Sequence, residues 1–350
     1  MQTIIFALIL SLAGLSSMQA LAGNTSDYKF TASKLTGKST PRYPSNELHR
    51  GKEGWVILSY VVDKNGKVID PIVEDSSGQK SFEKSAIKAA KKLKYQAATL
   101  NGQPVQQCIN KVKMSFSIHG GSRGASRRFA RTFNKVAKHL NKGEIAQAEQ
   151  LMTKLDSTGK WNLYEDAWYW YLKSKIAAVL KQDEQHYQAL IKAIAYEGNH
   201  IPNKLYIDAL KGLYLEQVKR QYYGDAFTTI STLTPFADKD SNIGKLIKHS
   251  QQLKAAIDEN QAYPVNGSIA HGQAWTHKLY RREFSFDIDS GKLQSFEIRC
   301  DRKRRRFDIG ETQTWKVPAR WGECTIYVHG EDNTEFKLYE HSPQAVAGGN

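Results

Sequence analysis

The chain has 350 residues, 40% of them hydrophobic and 24% charged, with a formal net charge of +15. Its N-terminal apolar run, Ile4 to Leu15, falls short of the roughly 18 to 20 residues that cross a bilayer. Followed by Ala20-Leu21-Ala22, it reads as a secretory signal over residues 1–22. Export excludes nucleic acid as a partner for this basic protein and directs its charge toward anionic surfaces, acidic protein loops or cell-wall polymers. The remaining chain is long enough for two or three domains with their own cores.

Residues 23–40 contain no proline and are expected to form a linker. From Tyr43 the pattern becomes specific. Trp55 to Val62 is a β-branched and aromatic run closed by Asp63-Lys64-Asn65-Gly66, where Asn-Gly is expected to supply the positive-φ positions of a tight hairpin. A second strand, Lys67 to Glu74, follows. Phe82, Ala86, Ala89, Ala90 and Leu93 then form the apolar stripe of one amphipathic helix. Asn101-Gly102 turns the chain again. From Cys108 to Ile118 the even positions Cys108, Val112, Met114, Phe116 and Ile118 are apolar and Lys111, Lys113, Ser115 and Ser117 polar, which predicts one buried and one solvated face. The prediction for 41–119 is a three-stranded ββαβ sheet backed by a helix.

These residues resemble the C-terminal domain of the TonB family. The resemblance rests on Tyr43-Pro44, Gly51, Glu53-Gly54-Trp55-Val56, Val62-Asp63, Gly66 and Val68. It continues through Ser76-Ser77-Gly78, Phe82, Ala86, Tyr95, Gly102 and Pro104-Val105. Two departures from the family are Ala97, where a proline is usual, and Ser39-Thr40-Pro41-Arg42, where glutamines are frequent. The resemblance implies a periplasmic location and recognition by strand addition, in which an extended partner segment pairs with a sheet edge. On this reading the last strand accepts the N-terminal box of an outer-membrane TonB-dependent transporter. The implied partner-strand residues are Gln107, Ile109, Lys111, Lys113, Ser115 and Ser117, with Arg42, Tyr43 and Pro44 leading into the fold.

Three glycines between residues 120 and 124 mark a boundary, after which helical periodicity runs from 125 to 260. Phe129, Phe133, Val136 and Leu140 make one stripe. Ile145, Ala148, Met152 and Leu155 make the next, introduced by Gly143, and their spacing resembles a degenerate tetratricopeptide repeat. Arg127, Arg131, Lys135 and Lys138 occupy the face opposite the phenylalanines, a solvated face or a surface for an acidic partner. Trp161, Tyr164, Trp168 and Tyr171 share a helix face that predicts core packing, and Trp170 is expected to point away from it.

Residues 263–341 alternate in short strands: Phe284, Phe286 and Ile288, a Ser290-Gly291 turn, Leu293 to Ile298, and later Cys324 to Val328. Cys300 and Cys324 are expected to pair in an oxidising compartment, leaving Cys108 as a packed, inert thiol. Arg302, Lys303, Arg304, Arg305 and Arg306 form a basic cluster at a predicted hairpin tip, a candidate contact for an anionic surface. Residues 342–350 are expected to be a disordered tail.

The fold class predicted is therefore α+β and multidomain: a TonB-like ββαβ domain, an α-helical repeat-like domain and a small disulfide-linked β domain. Paired carboxylates, nucleophile elbows and phosphate loops are absent from the sequence. His271 and His277 are six apart with no third ligand at useful spacing, so neither catalytic residues, a metal nor a cofactor is expected. The function expected is a non-enzymatic periplasmic protein that binds an extended segment and assists TonB-dependent transport across the outer membrane. One alternative is an energy transducer anchored in the inner membrane by an uncleaved N-terminal segment with a short linker, because 18 extended residues reach only roughly 60 Å. Another is a scaffold of the envelope or cell wall.

Overall fold

The computed structural model describes residues 29–118, 124–158, 162–196, 200–270, 273–310 and 313–343. The predicted signal, Trp161, His271 and most of the predicted tail lie outside them. Two short strands, β1 (Phe30–Thr31) and β2 (Lys34–Gly37), come first, then α1 (Ser45–His49). The expected linker is thus partly folded, because each of these strands finds a partner farther along the chain.

β3 (Gly54–Val62) and β4 (Val68–Ser76) form the predicted hairpin, and α2 (Lys80–Ala90) the predicted helix. Only Gly66 has positive φ at the turn; Asn65 does not. Asp63 holds the turn instead, accepting the Lys67 N–H through its side chain and the Gly66 N–H through its carbonyl. A Cβ on Gly66 would meet the Tyr95 carbonyl oxygen at 1.9 Å, so side chains are excluded there. Three short strands too brief to show a hydrophobic period follow: β5 (Lys94–Gln96), β6 (Ala98–Leu100) and β7 (Gln103–Val105). β5 pairs with β2, β6 pairs with both β1 and β7, and Asn101-Gly102, both at positive φ, turns β6 into β7. β8 (Gln107–Phe116) closes a sheet of order β4-β3-β8. Phe82, Ala86, Ala89 and Ala90 of α2 pack against Val56, Leu58, Tyr60, Met114 and Phe116.

The helices come as three hairpins. α3 (Arg127–Asn141) and α4 (Ile145–Thr158) form the first, α5 (Leu163–Val179) and α6 (Asp183–Ile194) the second, and α7 (Asn203–Lys219) and α8 (Tyr223–Leu233) the third. Each joint turns on one residue with positive φ: Gly143, Lys181 and Gln221. α9 (Ser241–Glu259) ends this stretch. Phe129, Phe133 and Val136 of α3 and Ala148, Met152 and Leu155 of α4 are buried in the core as predicted, with Leu140 packed at its margin and Ile145 outside it. α5 meets its expectation in part, since Trp168 and Tyr171 pack against the core. Tyr169, Leu172 and Ile176 are its buried face, while Tyr164, Trp168 and Tyr171 are only half-buried. Trp170 is half-buried too, donating to Asp166 at 3.1 Å with the Lys173 and Lys192 ammoniums over its ring. This central helix meets neighbours on several sides, so no single aromatic face describes it.

The C-terminal stretch is a sandwich. β9 (Ala262–Ser268), β10 (Trp275–Lys278), β11 (Glu283–Ser290), β12 (Leu293–Cys300), β13 (Arg304–Asp308), β14 (Thr314–Lys316), β15 (Cys324–Gly330) and β16 (Glu335–His341) make two four-stranded sheets. Their orders are β14-β11-β16-β9 and β10-β15-β12-β13. Ser290-Gly291 therefore passes the chain between sheets rather than closing a hairpin. Cys300 and Cys324 are register partners on β12 and β15 and are disulfide-bonded, as expected. Phe284, Phe286, Phe296, Trp315 and Phe336 fill the space between the sheets. Buried Arg281 fastens the sandwich to the helices, donating to the carbonyls of Ile257, Asn260 and Gln261 at the end of α9.

Candidate functional site

β8 is an edge strand because β3 occupies only one of its sides. Its core-facing residues Met114 and Phe116 are buried, and Phe116 stacks on Phe82 of α2, which fixes the strand's rotation. Lys111, Ser115 and Ser117 consequently stand exposed, and Lys113 is half-buried. Lys113 donates to the Ala195 carbonyl at the end of α6 and lies 5.0 Å from the centre of the Tyr196 ring.

The start of the same edge is covered. Gln107 accepts the Ser33 N–H through Oε1 at 2.6 Å, and the Cys108 N–H donates to the Asp301 carbonyl at 3.1 Å. Asp301 belongs to the tip of the β12–β13 hairpin. The side chain of Ile109 is not described. Of the six residues proposed from sequence, the structure thus groups Lys111, Ser115 and Ser117 on an open stretch and ties Gln107 and Lys113 to neighbours. No strand pairs with this outer edge among the described residues.

Tyr43 has a structural place. Its ring packs edge-on against Phe82 and Phe116, its hydroxyl donates to the Lys52 carbonyl, and burial pushes its pKa up to about 12. Pro44 precedes α1, and the Arg42 carbonyl accepts from Ser85 while its side chain is exposed. Glu53, which the sequence offers only as part of the family resemblance, is a structural link. Its two oxygens accept the N–H of Ile118 at 2.8 Å and of Leu163 at 3.0 Å, joining the end of β8 to the start of α5.

The side of β3 away from α2 is not solvated. Trp55 is fully buried there, edge-on to Tyr196 and donating to its hydroxyl. Tyr196 in turn donates to Asp166. Burial pushes the Asp166 carboxyl up to about 6, against the Tyr196 and Trp170 hydrogen bonds and the Lys192 charge, which favour ionisation. Farther along, Ser59 and Tyr327 of β15 donate to Glu74, and Arg304 bridges Asp70 and Glu297. The basic cluster is therefore largely engaged. Arg304 is ion-paired, Arg302 lies over the Phe30 ring at 5.2 Å, and Arg306 donates to Ser295, while Lys303 and exposed Arg305 have no ion pair among the described residues. Cys108 is buried at this junction, and desolvation raises its thiol to about 12. His277 sits inside β10 against Glu340 at 2.7 Å, with no metal-holding group of side chains among the described residues.

Residues 39–118 match the family described as Gram-negative bacterial TonB protein C-terminal. Over 79 residues the chain is 37% identical to Protein TonB of Xanthomonas campestris pv. campestris, covering 23% of this chain and 35% of the relative. Over 86 residues it is 34% identical to Protein TonB of Vibrio cholerae, covering 25% and 35%. A solved structure of the TonB2 protein from Vibrio anguillarum is 30% identical, covers 33% of this chain and 98% of that one, and has a TM-score of 0.21. Residues 39–118 thus carry a TonB C-terminal domain, and the chain spans about a third of the length of the curated relatives it matches.

Proposed function

We propose that this protein is a non-enzymatic component of the cell envelope, facing the periplasm, which assists TonB-dependent transport across the outer membrane. Its TonB C-terminal domain binds an extended partner segment by adding it to β8. The observation that carries this reading is the outer edge of β8 beyond Cys108, which no strand pairs with among the described residues and beside which Lys111, Ser115 and Ser117 are exposed. Edge strands left open in this way pair readily with extended chains. The three helical hairpins support a second, protein-docking role of repeat type, with the exposed Arg127, Arg131, Lys135 and Lys138 on α3 suited to an acidic partner. No described helix is long and apolar enough to cross a membrane.

The test is hydrogen exchange on the full chain with and without a peptide carrying a transporter N-terminal box. Slower exchange across residues 109–116 is expected. Binding that leaves those amides unchanged would refute strand addition at β8.

A further inference from the structure

On the opposite edge of the same sheet, β4, the last helical hairpins and the rim of the sandwich enclose a cleft of about 1280 Å³. Three strand edges open into it: residues 72–76 of β4, 266–268 of β9 and 275–276 of β10. Each of these strands is outermost in its sheet. Along β4 the two ends are occupied, since the Asp70 carbonyl accepts from Arg299 at 3.1 Å and the Ser76 carbonyl from Lys192 at 3.0 Å. Pro71 lacks a donor. The run from Ile72 to Asp75 is left without an outer strand partner among the described residues.

The charge of this cleft opposes that of the molecule. The chain carries +15, yet the cleft is lined by seven carboxylates and three cations. All three cations are already matched: Lys192 with Asp75 at 2.8 Å, Arg220 with Glu184 at 3.2 Å and Lys80 with Glu83 at 2.9 Å. Glu297 and Asp289 also have cationic partners. Glu74 bonds only the hydroxyls of Ser59 and Tyr327, and exposed Glu335 has no ion pair among the described residues. Tyr187, Tyr222 and Trp275 bring aromatic rings into the same wall, surfaces that attract cations.

The geometry points to a second docking site in this cleft, for an extended lysine- or arginine-bearing polypeptide segment that adds to β4 and sets its cations near Glu74 and Glu335. The site is separate from β8, which presents exposed Lys111. The two edges of one sheet therefore carry opposite signs, and each repels the kind of segment the other attracts.

The probe is a fluorescein-labelled octapeptide of alternating lysine and threonine, titrated by anisotropy against the full chain at low ionic strength, with hydrogen exchange as the second readout. Binding with slower exchange over residues 72–75 is expected. Reversing the exposed, unpaired acid, Glu335→Lys, is expected to weaken it about fivefold, as a charge-steered contact requires. Equal affinity for the reversed variant, or protection on β8 in place of β4, overturns the proposal. So does a glucosamine oligosaccharide that protects the cleft when the peptide does not, because the ligand is then a polysaccharide. Protection on β8 by a transporter peptide is read at other residues, so either site can fail alone.

Discussion

Asp166 offers the sharpest perturbation. Its carboxyl is raised from 3.8 to about 6 because burial penalises the charge more than Tyr196, Trp170 and Lys192 favour it. A group whose pKa is higher folded than unfolded stabilises the fold below the unfolded value, and that stability is lost as pH rises through the folded value. The rise from 3.8 to about 6 corresponds to roughly 3 kcal/mol, lost between about pH 4 and pH 6. Asp166→Asn keeps an oxygen to accept from Tyr196 and Trp170 but cannot ionise. Urea unfolding of both proteins, followed by tryptophan fluorescence at pH 4.5 and 7.5, isolates this one group by difference. The variant is expected to gain on the wild type as pH rises. Parallel stability curves would sink the argument, since they would mean Asp166 is as well solvated folded as unfolded.

Trp55→Ala, which empties a fully buried site beneath the helices, is expected to cost about 3–5 kcal/mol; Trp55→Phe, losing chiefly the N–H to Tyr196, should cost about 1 kcal/mol, both read by urea midpoint. Reducing Cys300–Cys324, 24 residues apart, is expected to remove about 3 kcal/mol, seen as a lower melting temperature in reductant. Cys108, buried with its thiol raised to about 12, should resist iodoacetamide in the folded protein and react once denaturant is added. Lys181 and Gln221 hold positive φ without being glycine; replacing either by glycine should stabilise by up to about 1 kcal/mol, and a drop in the melting temperature would contradict the assigned backbone.

The ββαβ unit was legible because turn residues and hydrophobic periods agreed at each joint. The covering of its second face was signalled less plainly. β8 alternates polar and apolar residues, but β3 reads Trp55-Val56-Ile57-Leu58 without alternation, the pattern of a strand buried on both faces. The first helical hairpin was legible and the second and third were less so, for a local reason. Gly143 announces the first joint, whereas the equivalent turns at Lys181 and Gln221 use residues that no turn rule favours. Similarly, Glu53 and the Asp301 carbonyl shape the β8 edge through contacts between distant segments, and a backbone oxygen leaves no trace in sequence. The cleft beside β4 belongs to the same class, since its walls come from all three stretches of chain.

The two short pairings at the start of the chain have a mechanical consequence. β1 and β2 are held by only a few residues each, against β6 and β5, while β3 is locked between two long neighbours and roofed by helices. Tension applied at Lys29 meets the short pairings first. They release residues 30–37, lengthening the chain by up to roughly 29 Å, before load reaches the main sheet. Because Ser33 lies in the released stretch, the same yielding would release Gln107 from Ser33 and lengthen the open edge of β8.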